Sequence, residues 1–144
     1  MTTALLAIHF TFSALWLGCV LTEALFERAL LAGDRSLHRT LADLHVRVDT
    51  FIEIPSIVLV LVSGIWLSFL HFPSSIYFYT MLIGGLVAVI ANACCVWLVF
   101  RRRDAAHALL WGEFDKLDHL QHKVGAIVLL GLLVAIIFGV LANS

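Results

Sequence analysis

Asp115-Lys116-Leu117-Asp118-His119-Leu120-Gln121-His122-Lys123 runs without a break into Val124–Leu141, a stretch that contains no charged residue. At about 1.5 Å rise per residue, the second part is long enough to cross a hydrocarbon core of about 30 Å as a helix. With the same helix carried back through the first part, Asp115, Asp118, His119 and His122 stand at i, i+3, i+4 and i+7 and cover an arc of about 100°. Four residues able to bind metal therefore share one face at the mouth of a spanning helix.

The rest of the chain has the same character. It is 62% hydrophobic with nine Lys and Arg and ten Asp and Glu, and its mean hydropathy is +1.02. That is the profile of an integral membrane protein and excludes an ordinary soluble domain. Four segments qualify as spans: Thr3–Leu25, Ile54–Leu70, Tyr77–Phe100 and Val124–Leu141. The predicted fold is all-α, a single four-helix bundle covering residues 1–144. The first span lacks a basic leading region and is too long for a cleavable signal, so it is expected to stay in place.

Every Lys and Arg falls in two connections: Arg28, Arg35, Arg39 and Arg47 after the first span, and Arg101, Arg102, Arg103, Lys116 and Lys123 after the third. The positive-inside rule places both connections in the cytoplasm and both termini outside, in a bacterial cytoplasmic membrane. Arg101–Arg103 reads as an interfacial anchor for anionic head groups.

The first span carries His9 in its outer half and ends with Glu23 and Glu27, one turn apart on one face. Gly33-Asp34 signals a turn, and Ser36 is the expected N-cap of a helix beginning near Leu37 and entering the membrane. On that helix His45, Asp49 and Glu53 form an i, i+4, i+8 series over an arc of about 80°, and His38 lies seven residues before His45. Pro55 then predicts a kink above the polar residues. His71–Ser75 forms a short outer turn, and Gly112 is the expected break before the last helix. Cys19, Cys94 and Cys95 lie inside spans, where small apolar packing is their ordinary role.

Counting inward from the outer helix ends puts Glu23, Glu53 and His122 at about 27–30 Å, and Glu27, Asp49, Asp118 and His119 at about 33–36 Å. Three helices thus deliver polar groups to one level. The carboxylates of Glu23, Glu27, Asp49, Glu53 and Asp118 cannot all ionise together without cations. Arg28 and Arg47 are expected to supply part of the charge. Two or more divalent metal ions would supply the rest, bound by Glu23, Glu27, His45, Asp49, Glu53, Asp118, His119 and His122. The ligand chemistry parallels the dimetal centres of four-helix bundles, though the paired Glu-x-x-His pattern is absent. Carboxylate and imidazole favour iron, manganese or zinc.

His9, Trp16 and Gly18 in a four-span protein resemble the first helix of the haem-associated membrane proteins of the copper-resistance-D-like and bacterial protoporphyrinogen-oxidase-like group. That resemblance implies a b-type haem with His9 as a ligand. The third span carries no buried Lys or Arg in this reading, and His71 is the one other His near the depth of His9.

The expected function is a membrane oxidoreductase with a carboxylate and His metal site at the cytoplasmic boundary, acting on a quinol, dioxygen or a reactive oxygen species. The alternatives are a haem b electron-transfer protein, a metal carrier or sensor, and a purely structural metal site. The partners implied are the lipid bilayer and a quinone, and the chain is compatible with a homo-oligomer. No Gly-rich phosphate loop, nucleophile–base pair or nucleic-acid surface is present.

Overall fold

The computed structural model describes residues 2–70 and 75–143. Its elements are α1 (Thr2–Leu30), α2 (Arg35–Val48), a π turn (Asp49–Glu53), α3 (Ile54–Leu70), α4 (Ile76–His107) and α5 (Trp111–Asn143). Helical backbone continues through Val48, Asp49 and Ile54, so α2, the π turn and α3 make one rod. Four helices are thereby long and apolar enough to cross a membrane: Thr2–Ala29, Arg35–Leu70, Ile76–His107 and Trp111–Ala142. The outer turn expected at His71–Ser75 lies, apart from Ser75, outside the described residues, as does His71 itself.

Two helix ends differ from expectation. The helix after Gly33 starts at Arg35, with Asp34 extended at the N-cap (φ −71°, ψ 158°) and Ser36 already helical. Asp34 leaves the turn extended and its carbonyl accepts from Leu37 N–H at 2.9 Å, so the helix begins directly behind it. The break before the last helix falls at Ala108–Leu110, and Gly112 lies within α5. There Leu110 N–H bonds to Ala105 O (2.9 Å) and Leu109 N–H to Ala106 O (3.3 Å), the paired bonds of a Schellman stop. Leu109 takes the left-handed position at φ 60°, where glycine is the usual occupant.

The helices pair as two hairpins, α1 with α3 and α4 with α5, and α2 lies across α4 at the polar end. Small residues let α4 and α5 touch along their backbones. A Cβ on Gly84 would come within 3.1 Å of Gly131 O, and one on Gly131 within 3.0 Å of Ala88 Cβ. Trp16, Ile57, Ala88, Val128 and Leu132 form the core between the hairpins. A second core, Ala42, Ala105, Ala106 and Phe114, sits beyond the apolar stretches and fastens α2 to the α4–α5 turn. Outward-facing side chains such as Val62, Ile65, Trp66 and Phe69 are exposed, an apolar surface larger than a water-soluble protein tolerates.

Candidate metal centre

The polar side chains of five segments converge between the two cores. α1 contributes Glu23 and Glu27, α2 His45, the π turn Asp49 and Glu53, α4 Arg102, and α5 Asp118, Gln121 and His122. The π turn has a local cause. Pro55 offers no N–H to the carbonyl of Phe51 and its ring crowds that oxygen, and the chain answers with a wider turn in which Ile54 N–H reaches Asp49 O. More residues per turn bring Glu53 back above Asp49, and both are buried.

The cluster has two layers. In the upper one, His45 Nε2 lies 3.0 Å from Glu23 Oε2 and 3.7 Å from Asp49 Oδ1. One ligand atom from each of these three residues fits within 4.8 Å. Glu53 borders this group through Asp49 and accepts from the Trp16 indole N–H at 2.9 Å. In the lower layer the Arg102 guanidinium stands at the centre. Its Nη1 donates to Glu27 Oε1 (2.7 Å) and Asp118 Oδ1 (2.6 Å), and its Nη2 lies 2.9 Å from His45 Nδ1. Gln121 Nε2 donates to Glu27 Oε1 at 3.1 Å, and His122 Nε2 lies 3.2 Å from Glu27 Oε2. Phe114 closes the floor with its ring 5.7 Å from the guanidinium carbon.

Arg102 corrects the reading of Arg101–Arg103 as a uniform interfacial anchor, and with it the expectation that this helix holds no buried cation. Its side chain is 0% exposed. Consecutive residues diverge by about 100° around a helix, so three arginines in a row cannot all face outward. Arg101 turns out to Glu113 (2.9 Å) and Arg103 to Asp43 (2.7 Å), while Arg102 turns in. Arg28 and Arg47, the cations expected to balance the acids, are both exposed.

The eight candidate ligands divide accordingly. Glu23, His45 and Asp49 are within reach of one ion, with Glu53 beside them. Glu27 and Asp118 gather around Arg102, with His122 on the far oxygen of Glu27. His119 is exposed and stands about 100° round the helix from Asp118 and about 160° from Gln121. The buried face of α5 is centred on Phe114 and Gln121, which also leaves Asp115 outside, paired with Arg35 at 2.6 Å. His9 lies well above the cluster, its Nδ1 between Ser63 Oγ (2.9 Å) and Val60 O (3.1 Å).

Arg102, Gln121 and the indole of Trp16 are the site residues that sequence reasoning missed. The signal for Arg102 was present in the shortage of cations beside five carboxylates. For Gln121 it lay in the three-residue spacing from Asp118 and in the position next to His122.

Two buried carboxylate oxygens, Glu23 Oε1 and Asp49 Oδ1, have no hydrogen-bond partner. Both belong to the upper layer, the part without Arg102. Ligand atoms about 2.1 Å from a tetrahedral ion stand about 3.4 Å apart, and the 3.0 and 3.7 Å separations around His45 Nε2 bracket that spacing. Glu27 Oε1 lies 3.2 Å and Arg102 Nη2 2.9 Å from His45 Nδ1, so both hold that side of the ring, and the Nε2 side faces Glu23 and Asp49. The donor set fits a divalent cation. No family model, curated protein or solved structure matches this chain.

Proposed function

We propose that the protein resides in a bacterial cytoplasmic membrane, with its polar end in the cytoplasm and both termini outside, and holds a divalent transition metal at Glu23, His45 and Asp49. The observation that carries this reading is an imidazole nitrogen, His45 Nε2, at ligand spacing from Glu23 Oε2 and Asp49 Oδ1, with Asp49 Oδ1 and the second Glu23 oxygen, Oε1, buried and unpartnered. Leaving buried acceptors unsatisfied costs about 1–3 kcal/mol each, and an ion satisfies both together. One nitrogen and two or three carboxylate oxygens suit iron, manganese or zinc. The orientation rests on the placement of every Lys and Arg in the two connections at the polar end.

We assign the site an oxidoreductase role toward a quinol, dioxygen or a reactive oxygen species. A bound iron or manganese ion would supply the electron-accepting centre, whereas zinc, which has no redox chemistry, would fit the structural role alone. Glu27 would hold the His45 ring through Nδ1, and the Trp16 indole would fix Glu53 beside the ion. Elemental analysis of the detergent-purified protein together with its visible spectrum tests the metal. About one equivalent of iron, manganese or zinc without a Soret band supports the centre, whereas a Soret band with stoichiometric haem iron, or no metal after growth in metal-rich medium, removes it. Quinol oxidation that disappears in Asp49→Asn and Glu23→Gln tests the redox role.

The ligands come from α1, α2 and the π turn, and that origin favours a second reading in which the ion clamps these segments. Chelation lowers thermal stability under both readings. Turnover with any redox substrate belongs to the first alone.

A further inference from the structure

We infer that Arg102 takes the place of a second metal ion, so that the centre binds one ion by construction and Arg102 determines its stoichiometry. The inference rests on the metal reading of the upper layer. Its own evidence lies in the lower one. There Glu27 Oε1 and Asp118 Oδ1 stand 2.7 and 2.6 Å from a single guanidinium nitrogen, and the imidazole of His122 lies 3.2 Å from the other Glu27 oxygen. Two carboxylates around one cation, with a histidine on the far oxygen of one of them, are residue types that also bind metal. Gln121 adds a neutral oxygen: the residue is 3% exposed, its amide nitrogen reaches Glu27, and its Oε1 has no partner.

The geometry separates the two positions. A guanidinium is planar and permanently charged, and its donors point along a fixed fork. Arg102 reaches His45 on the Nδ1 side, while Glu23 and Asp49 stand on the Nε2 side. The upper oxygens therefore lie beyond its reach and stay unpaired. Carboxylates shared between the layers through His45 would otherwise suit a pair of ions, as in the dimetal centres of helix bundles.

The test is Mn²⁺ binding to the full chain in detergent, with free Mn²⁺ read from its six-line paramagnetic resonance signal. Wild type is expected to bind one ion and Arg102→Gln two, with the broadened signal of neighbouring ions in the variant. Arg102→Lys keeps a cation in place and is expected to bind one. Arg102→Gln binding no more than wild type, or wild type binding two, overturns the inference. Where Arg102→Gln aggregates without metal, recovery of folded, two-ion protein on purification in Mn²⁺ supports it and failure to recover overturns it. Wild type binding none while Arg102→Gln binds one sustains the role of Arg102 and removes the upper centre. Neither protein binding Mn²⁺ overturns both.

Discussion

The upper and lower layers of the cluster use the same residue types and share His45, yet they meet their charge in opposite ways. Glu27 and Asp118 receive a guanidinium from α4, the amide of Gln121 and the His122 ring. Glu23 and Asp49 share one imidazole nitrogen, and each retains an oxygen with nothing to accept from. The contrast teaches that acidity alone does not define a candidate ion site. What distinguishes the upper layer is buried carboxylate oxygen that no donor of the chain satisfies.

The largest effect is expected from taking the internal cation away. In the metal-free protein, Arg102→Met leaves buried Glu27 and partly buried Asp118 without their partner, a loss of about 3–5 kcal/mol for a broken buried pair. Thermal melting in detergent should show it as a large fall in Tm, and a near-wild-type Tm would mean that water, not Arg102, satisfies the lower layer.

Next in size is a contrast between two neutralising substitutions. Glu27→Gln removes the charge that receives bonds from Arg102 and Gln121, and should cost about 1.5–3 kcal/mol, the range for hydrogen bonds to charged groups. Asp49→Asn removes a charge whose Oδ1 has no donor, so metal-free Asp49→Asn should be as stable as wild type or more so. Added metal closes the gap. An ion at one hundred times its dissociation constant stabilises the folded state by about 2.7 kcal/mol, a gain that Asp49→Asn forgoes. Equal destabilisation by both substitutions without metal would dissolve the distinction between the layers.

How far this site was legible in the sequence follows from its helices. Apolar length was enough for four long helices, i, i+4 spacing put Glu23 with Glu27 and His45 with Asp49 and Glu53 on common faces, and counting along the helices brought Glu23, Glu27, Asp49 and Glu53 to neighbouring depths with His45 a layer further in. The rotation of each helix was not legible. On α5 the ligand arc was centred on Asp118 and His119, while packing on Phe114 and Gln121 turns His119 outward. On α4 three adjacent arginines gave no means of choosing the buried one. The choice depends on α2 lying against α4, a tertiary contact between distant parts of the chain.

The α4–α5 turn provides a smaller test, because it carries the floor of the lower layer. Leu109 holds a left-handed backbone at φ 60° with an exposed side chain. Leu109→Gly should therefore stabilise the protein by about 1 kcal/mol, the cost of an L side chain in that region, and leave metal stoichiometry unchanged. A lower Tm would show that the Leu109 side chain contributes packing that its exposure does not suggest.

The smallest effect should come from an exposed guanidinium–carboxylate pair at this end of the molecule. Arg35 binds Asp115 through both nitrogens, at 2.6 and 2.9 Å, and lies over the Trp111 ring at 5.2 Å. In vacuum this two-bond contact would rival the one at Arg102. Here both side chains are about half exposed, so water screens the attraction and solvates each partner when they separate. Asp115→Asn should shift the Tm slightly at low salt and not at all at high salt, because the exposed charges are then screened. A salt-independent loss approaching that of Arg102→Met would mean that the Arg35 contact fixes α2, and with it His45, over the site.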